Sequence, residues 1–282
     1  MQKTKLLIFL LVLFATGIFI TISLTKSTGA RNFLTKITQN KNVKGTSVSL
    51  KPTEVIIDGK RRIKYPQDFT IVLLGDSMTE RLGNSDELLA DLANYYPKKT
   101  FEVLNYGFGS TNILSAQKRL ESETFNGRVF RPIINIDFDL ILVESFGHNP
   151  LSEFPLDQGL QKQTEALDNI VKTIIENNSH AKIVFVATLA PSKKHYARGI
   201  ADLTPEVREK WALERIAYIK NHMEYAKAHN IPLINVFSKS LNSDGDLNLD
   251  YINTLDYIHP SPKGIYLISD EMAKFIFENH IL

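Results

Sequence analysis

Ile71-Val72-Leu73-Leu74-Gly75-Asp76-Ser77-Met78-Thr79-Glu80 is the stretch from which the fold can be read. Four consecutive apolar residues, two of them β-branched, read as a buried strand, and Gly75 supplies the tight turn in which that strand ends. Ser77 then falls at the start of a helix-like segment, where unpaired backbone N–H groups collect. Asp and Ser at a helix start are also ordinary caps. Alone, this stretch leaves two readings open, a cap or a nucleophile displayed on a sharp turn.

The same order of strand, turn and helix recurs along the chain. Phe69 to Leu74, Phe101 to Tyr106, Leu140 to Val143, Ile183 to Ala187 and Pro232 to Phe237 are short apolar runs separated by helix-compatible stretches, which predicts a five-stranded parallel sheet covered by helices. One helix starts with Thr204 as cap and Pro205 at its first position, and it carries Ala212, Ile216, Ile219, Met223 and Ala226 on one face. Trp211 reads as core or rim packing on it. The last helix, about Pro262 to Glu278, carries Ile265, Ile268, Met272, Phe275 and Ile276.

In open parallel sheets the crevice beyond the strand C-termini is the usual ligand site. Three glycine-bearing turns open there, at Ser77, in NYGFGSTN (105–112) and in SFGHNP (145–150), although each glycine could be a plain turn former. Before the last helix, LDYIHPSPKG (255–264) sets Asp256 three residues ahead of His259, a spacing that lets carboxylate and imidazole share one side of a tight turn. A serine nucleophile needs such a base and a group that orients it. The loop APSKKHYARG (190–199) opens at the fourth strand's end with Lys193, Lys194, His195 and Arg198, either a solvated surface or a rim that attracts an anionic substrate.

The rest of the chain bounds these readings. A formal net charge of +2 with scattered basic residues argues against a nucleic-acid footprint, and the absence of cysteine removes disulfide and thiolate chemistry. His148, His180, His195, His222, His229 and His280 show no paired ligand spacing, and Asp244 to Asp250 lacks the pattern of a calcium loop, so neither a metal nor a cofactor is expected. Leu6 to Leu24 is uncharged and long enough at about 1.5 Å per residue to come close to spanning a bilayer's hydrocarbon core. Residues 1–24 are therefore expected to be a membrane anchor, with a cleaved signal peptide as the competing reading and the following domain on the extracytoplasmic side. The basic residues Lys26, Arg31, Lys36, Lys41 and Lys44 pull the other way. Residues 25–64 read as a polar tether ending in a hairpin about Asp58-Gly59, and 65–282 as the folded domain.

Four separated blocks, GDSMTE, NYGFG, GHN and DYIH, follow one another in the order of the SGNH, or GDSL-type, serine hydrolases, and the chain resembles that family from about Thr70 to Phe277. The resemblance implies a flavodoxin-like three-layer α/β/α fold and ester hydrolysis through an acyl-serine intermediate. Ser77 would be the nucleophile, His259 the base and Asp256 its orienting acid. The backbone N–H groups of Ser77 and Gly109 and the side chain of Asn149 would form the oxyanion hole. One departure is Pro150, which stands where the family usually has an acid after the asparagine. The expected substrate is an O-acyl ester, O-acetyl first, on a glycan or lipid. An acyltransferase using the same serine, a lysophospholipase or thioesterase, and a catalytically silent glycan-binding domain are the alternatives.

Overall fold

The computed structural model describes residues 51–282, so the apolar stretch Leu6–Leu24 and the tether through Ser47 lie outside the described residues. Among the described residues no helix is long and apolar enough to cross a membrane. The described residues 51–282 belong to one compact unit.

In chain order the strands of the central sheet are β3 (Phe69–Gly75), β4 (Phe101–Gly107), β8 (Leu140–Glu144), β9 (Lys182–Ala187) and β10 (Leu233–Asn235). They lie in the order β10-β9-β8-β3-β4, all parallel. The chain steps from β3 to β4 on one side, then crosses to β8 on the other. The C-terminal ends of β3 and β8 therefore border the point where the winding reverses. Ser77 follows β3 and Asn149 follows β8, so the topology brings these two turns together.

Both faces of the sheet are buried, which is why its strands read as continuous apolar runs rather than alternating ones. Ile71, Leu73, Leu140, Leu142 and Val184 pack against α2 (Asp86–Tyr95) and α7 (Pro262–Glu278) through Leu88, Leu92, Ile268, Met272 and Ile276. On the other face Val72, Leu74, Ile141, Val143 and Phe185 meet α3 (Ala116–Glu121), α4 (Leu156–Asn177) and α5 (Pro205–Ala228), with Leu120, Leu167, Ile170 and Tyr225 in the contact. At about 1.5–3 kcal/mol per fully buried aliphatic side chain, these two layers hold the strand ends in place.

Three local outcomes depart from the sequence reading. The fifth strand stops at Asn235 instead of running to Phe237, because the Asn235 carboxamide oxygen accepts the Ser238 N–H at 3.0 Å and starts the short helix α6 (Val236–Lys239). The hairpin of β1 (Thr53–Ile57) and β2 (Lys60–Lys64) turns through Asp58 and Gly59, both at positive φ, as its Asp-Gly pair requires. It belongs to the compact unit, so the boundary drawn at residue 65 moves ahead of it. Ile63 pairs in parallel with Ile136 of β7 (Ile136–Asp137), Lys64 reaches Asp137 at 3.5 Å, and the buried Arg62 guanidinium donates to the Asn177 carbonyl at the end of α4. A second hairpin, β5 (Thr124–Asn126) and β6 (Arg128–Phe130), turns through Gly127 and escaped the sequence reading because its strands are only three residues long.

Candidate active site

The two readings of the Ser77 turn fall on different residues. Asp76 is the cap: its Oδ1 accepts the Met78 N–H at 2.8 Å and starts α1 (Ser77–Glu80). Ser77 is thereby left with a hydroxyl free for other partners. Gly75 has no room for a side chain, since a Cβ there would collide with Thr79 and Glu144, and a Cβ on Gly107 would run into the Glu80 backbone. These glycines let β3 and β4 close tightly on the single turn that carries the serine.

Asp256 and His259 sit on a loop closed by backbone bonds between Asn253 and both His259 and Tyr257, with Tyr257 at φ 53°. Asp256 Oδ1 accepts the N–H groups of Ile258 at 2.9 Å and His259 at 3.0 Å. Its Oδ2 lies 2.9 Å from His259 Nδ1, and His259 Nε2 lies 3.0 Å from Ser77 Oγ. A carboxylate can only accept, so Nδ1 carries the proton and Nε2 is left to accept from the serine hydroxyl. Burial pushes the Asp256 carboxyl up, but the hydrogen bonds from the His259 ring and the two N–H groups outweigh it and hold the group below the usual range.

Asn149 donates from Nδ2 to Asp76 Oδ2 at 2.9 Å, so its carboxamide is held against the Ser77 turn. With Pro150 in place of the acid, Asp76 supplies the asparagine's carboxylate partner. The turn before it is tight: Phe146 is buried at φ 54°, its carbonyl accepts the Asn149 N–H at 3.1 Å, and a Cβ on Gly147 would overlap Ile219. Gly109 follows Phe108, whose N–H donates to the Gly75 carbonyl at 3.2 Å and ties this turn to the end of β3. A Cβ on Gly109 would meet the Glu80 carboxylate, which also accepts from Asn126 Nδ2 of the second hairpin at 3.0 Å.

Ser77, His259, Asp256 and Asn149 thus share one bonded constellation, with Gly109 on the adjoining turn. Lys193, Lys194 and Arg198 form no bond to it. Their loop is not a loose one, however. The Asp246 carboxylate accepts the Lys193 N–H at 2.8 Å and the Ser192 hydroxyl at 3.1 Å, while Tyr196 and Ala197 are buried with Ala212 next to Ile258. Lys194 and Arg198 are exposed.

Three residues beneath the turns escaped the sequence reading. Glu144, the last residue of β8, is buried and accepts from the Asp76 N–H at 3.2 Å, the Ser145 hydroxyl at 2.8 Å and the Phe146 N–H at 2.9 Å. Arg119, 1% exposed, donates to the carbonyls of Gly75 and Tyr106 at 2.6 Å each, and its guanidinium lies 4.9 Å from the Phe108 ring centre and 5.3 Å from that of Phe146. Burial lowers its pKa to about 10 against the opposing pull of Asp76 and Glu144. His148 donates from Nε2 to the Leu189 carbonyl at 3.0 Å, and burial lowers it to about 4, so it is a neutral packing residue beside the asparagine. The only sequence signal for Glu144 and Arg119 is a charge at the end of an apolar strand and one on a helix, which is also how surface residues look.

A doubly wound sheet with a Ser-His-Asp relay at its switch point defines a serine hydrolase of the α/β/α type. The profile of the GDSL-like lipase/acylhydrolase family matches residues 73–265, and the chain belongs to this family, whose members act on ester bonds. Among solved structures it is similar to a lipase/acylhydrolase from Enterococcus faecalis, at 18% identity and a TM-score of 0.52, covering 75% of this chain and 96% of that one. It is also similar to an acetylxylan esterase from Geobacillus stearothermophilus, at 13% identity and a TM-score of 0.51, covering 74% of this chain and 94% of that one. At these identities the likeness concerns the fold. No match to a curated protein sequence was found.

Proposed function

We propose that the protein is a serine esterase that removes an O-acyl group, acetyl foremost, from a glycan through an acyl-Ser77 intermediate. The observation that carries the reading is the relay from Asp256 Oδ2 to His259 Nδ1 at 2.9 Å and from Nε2 to Ser77 Oγ at 3.0 Å. His259 takes the hydroxyl proton as Oγ attacks the ester carbonyl, then returns it to the departing alkoxide. Water repeats the cycle to release the acid. Asp256 holds the tautomer and balances the imidazolium charge. The tetrahedral oxyanion is met by the backbone N–H groups of Ser77 and Gly109 and by the second amide hydrogen of Asn149, whose first is committed to Asp76.

The acetyl and glycan parts of the reading take their lead from the acetylxylan esterase that shares the fold, and from Leu6–Leu24, which as an anchor would keep the domain at an envelope surface. A serine-directed phosphonate, applied with p-nitrophenyl acetate turnover as readout, tests the core of it. The parent is expected to be labelled at Ser77 and silenced, and Ser77→Ala to stay folded, unlabelled and slower by about 10⁶. Labelling elsewhere with parent-like turnover in Ser77→Ala would remove the serine from the mechanism. Products from an acetylated oligosaccharide separate release into water from transfer to a second sugar.

A further inference from the structure

We propose that Glu144 is a positioning residue that locks the Ser77 turn to the Asn149 turn. Its carboxyl is bonded to both: one oxygen takes the Asp76 N–H, in the residue before the nucleophile, and the other takes the Phe146 N–H, three residues before the asparagine. Asp76 closes the circuit, because its own carboxylate accepts from Met78 within α1 and from the Asn149 side chain. Nucleophile and oxyanion donor are therefore spaced by a ring of hydrogen bonds that passes through Glu144.

The chemistry of the ring requires Glu144 to work uncharged. Asp76 and Glu144 are both buried, and the nearby cation, Arg119, spends its shortest bonds on the carbonyls of Gly75 and Tyr106 rather than on either carboxyl. Two adjacent buried carboxylates facing one such cation are strongly disfavoured, so one keeps a proton. Asp76 accepts N–H donors on both oxygens, from Met78 and from Asn149. Burial first and the Asp76 charge second push Glu144 well above the usual carboxylate range, with its acid proton facing Asp76. His148, in the same turn, is neutral and adds no competing charge. In this state one Glu144 oxygen carries the proton and still accepts the Asp76 N–H, while the other accepts from Ser145 and Phe146; a glutamine amide would keep the second set of bonds but has no lone pair for the Asp76 N–H.

Two substitutions separate this role from mere packing. The inference rests on Ser77 as the nucleophile, which Ser77→Ala tests by itself; the comparison here reads positioning alone. Glu144→Gln keeps length and neutrality and the bonds from Ser145 and Phe146 but loses the acceptor for the Asp76 N–H, and should lower kcat for p-nitrophenyl acetate by the same factor at every pH from 6 to 9, with KM little changed. Glu144→Asp keeps a carboxyl but is one methylene too short to reach both N–H groups, and should lower kcat by up to about 10², the cost of roughly 1 Å of misplacement, with KM little changed. Rates are normalised to phosphonate-titrated sites, so a folded but merely less stable protein would score as the parent does. If the Asp variant matches the parent, Glu144 does not position the turns. A Gln variant with the parent kcat would show that the bond to the Asp76 N–H does not position the turns, and a Gln deficit that changes with pH between 6 and 9 overturns the uncharged role. Should only the Asp variant fail to fold, a Gln variant with lowered kcat and unchanged KM at every pH still supports the inference, and one with the parent kcat overturns it.

Discussion

Two carboxyl groups are tied to the Ser77 turn, Asp256 through His259 and Glu144 through the backbone of Asp76, and their surroundings drive them in opposite directions. Asp256 keeps some contact with solvent, its side chain 16% exposed, and takes three N–H donors that stabilise the anion. Glu144 lies under the sheet ends against a second carboxyl, where burial and repulsion favour the neutral acid. In the proposed mechanism the same functional group would serve as a charge that steadies imidazolium in one place and as a neutral brace in the other. What differs is the ratio of donors to burial, not the residue type.

Asp256→Asn tests the charged member of the pair and should have the larger effect. It keeps the shape but disturbs the tautomer and removes the anion, so kcat on p-nitrophenyl acetate should fall by about 10⁴. A drop of only a few-fold would mean that His259 is oriented by its loop alone. Asn149→Ala attacks the ring that Glu144 braces and is expected to lower kcat by 10²–10³, roughly the cost of one preorganised donor, with far less change in KM. A pure KM effect would make Asn149 a substrate contact instead.

Stability against pH sharpens the same contrast. Glu144, raised in the fold, contributes stability that is present below its ordinary value of 4.5 and lost as the pH climbs through the folded value. Asp256, lowered in the fold, contributes stability that is present above 3.8 and lost only as the pH falls below that. Glu144→Gln should therefore gain on the parent in thermal unfolding midpoint between about pH 5 and pH 8, by a few degrees, while Asp256→Asn shows no such trend across that window. Parallel curves for Glu144→Gln and the parent would show that Glu144 does not hold its proton in the fold.

The smallest effect is expected at the basic loop. Its backbone is pinned by Asp246, so changing Lys193, Lys194 and Arg198 to Ser alters charge without loosening the loop. KM for an anionic ester at low salt should rise a few-fold and converge on the parent at high salt, where exposed charges are screened over about 3 Å. The neutral p-nitrophenyl acetate should be unaffected. Equal kinetics on both substrates would leave these side chains as solvated surface.

Much of this protein is written locally. The apolar run Ile71–Leu74 ending in Gly75, and four more like it, were enough for a parallel sheet, because strand burial and turn chemistry depend on adjacent residues. The pair Asp256 and His259 was legible for the same reason: three positions on one turn bring carboxylate and imidazole together without help from elsewhere. The 3.0 Å contact between Ser77 and His259 spans 182 residues and follows only once the sheet order is known. Glu144 and Arg119 lay further out of reach. Their roles depend on burial and on carbonyls and N–H groups supplied by β3, β4 and the turn after β8, and one charge at the end of LILVE looks the same in a sequence whether water or another carboxyl will meet it. The docking of the first hairpin on β7 was settled in the same way, because a turn of Asp-Gly specifies a hairpin and says nothing about what its second strand will pair with.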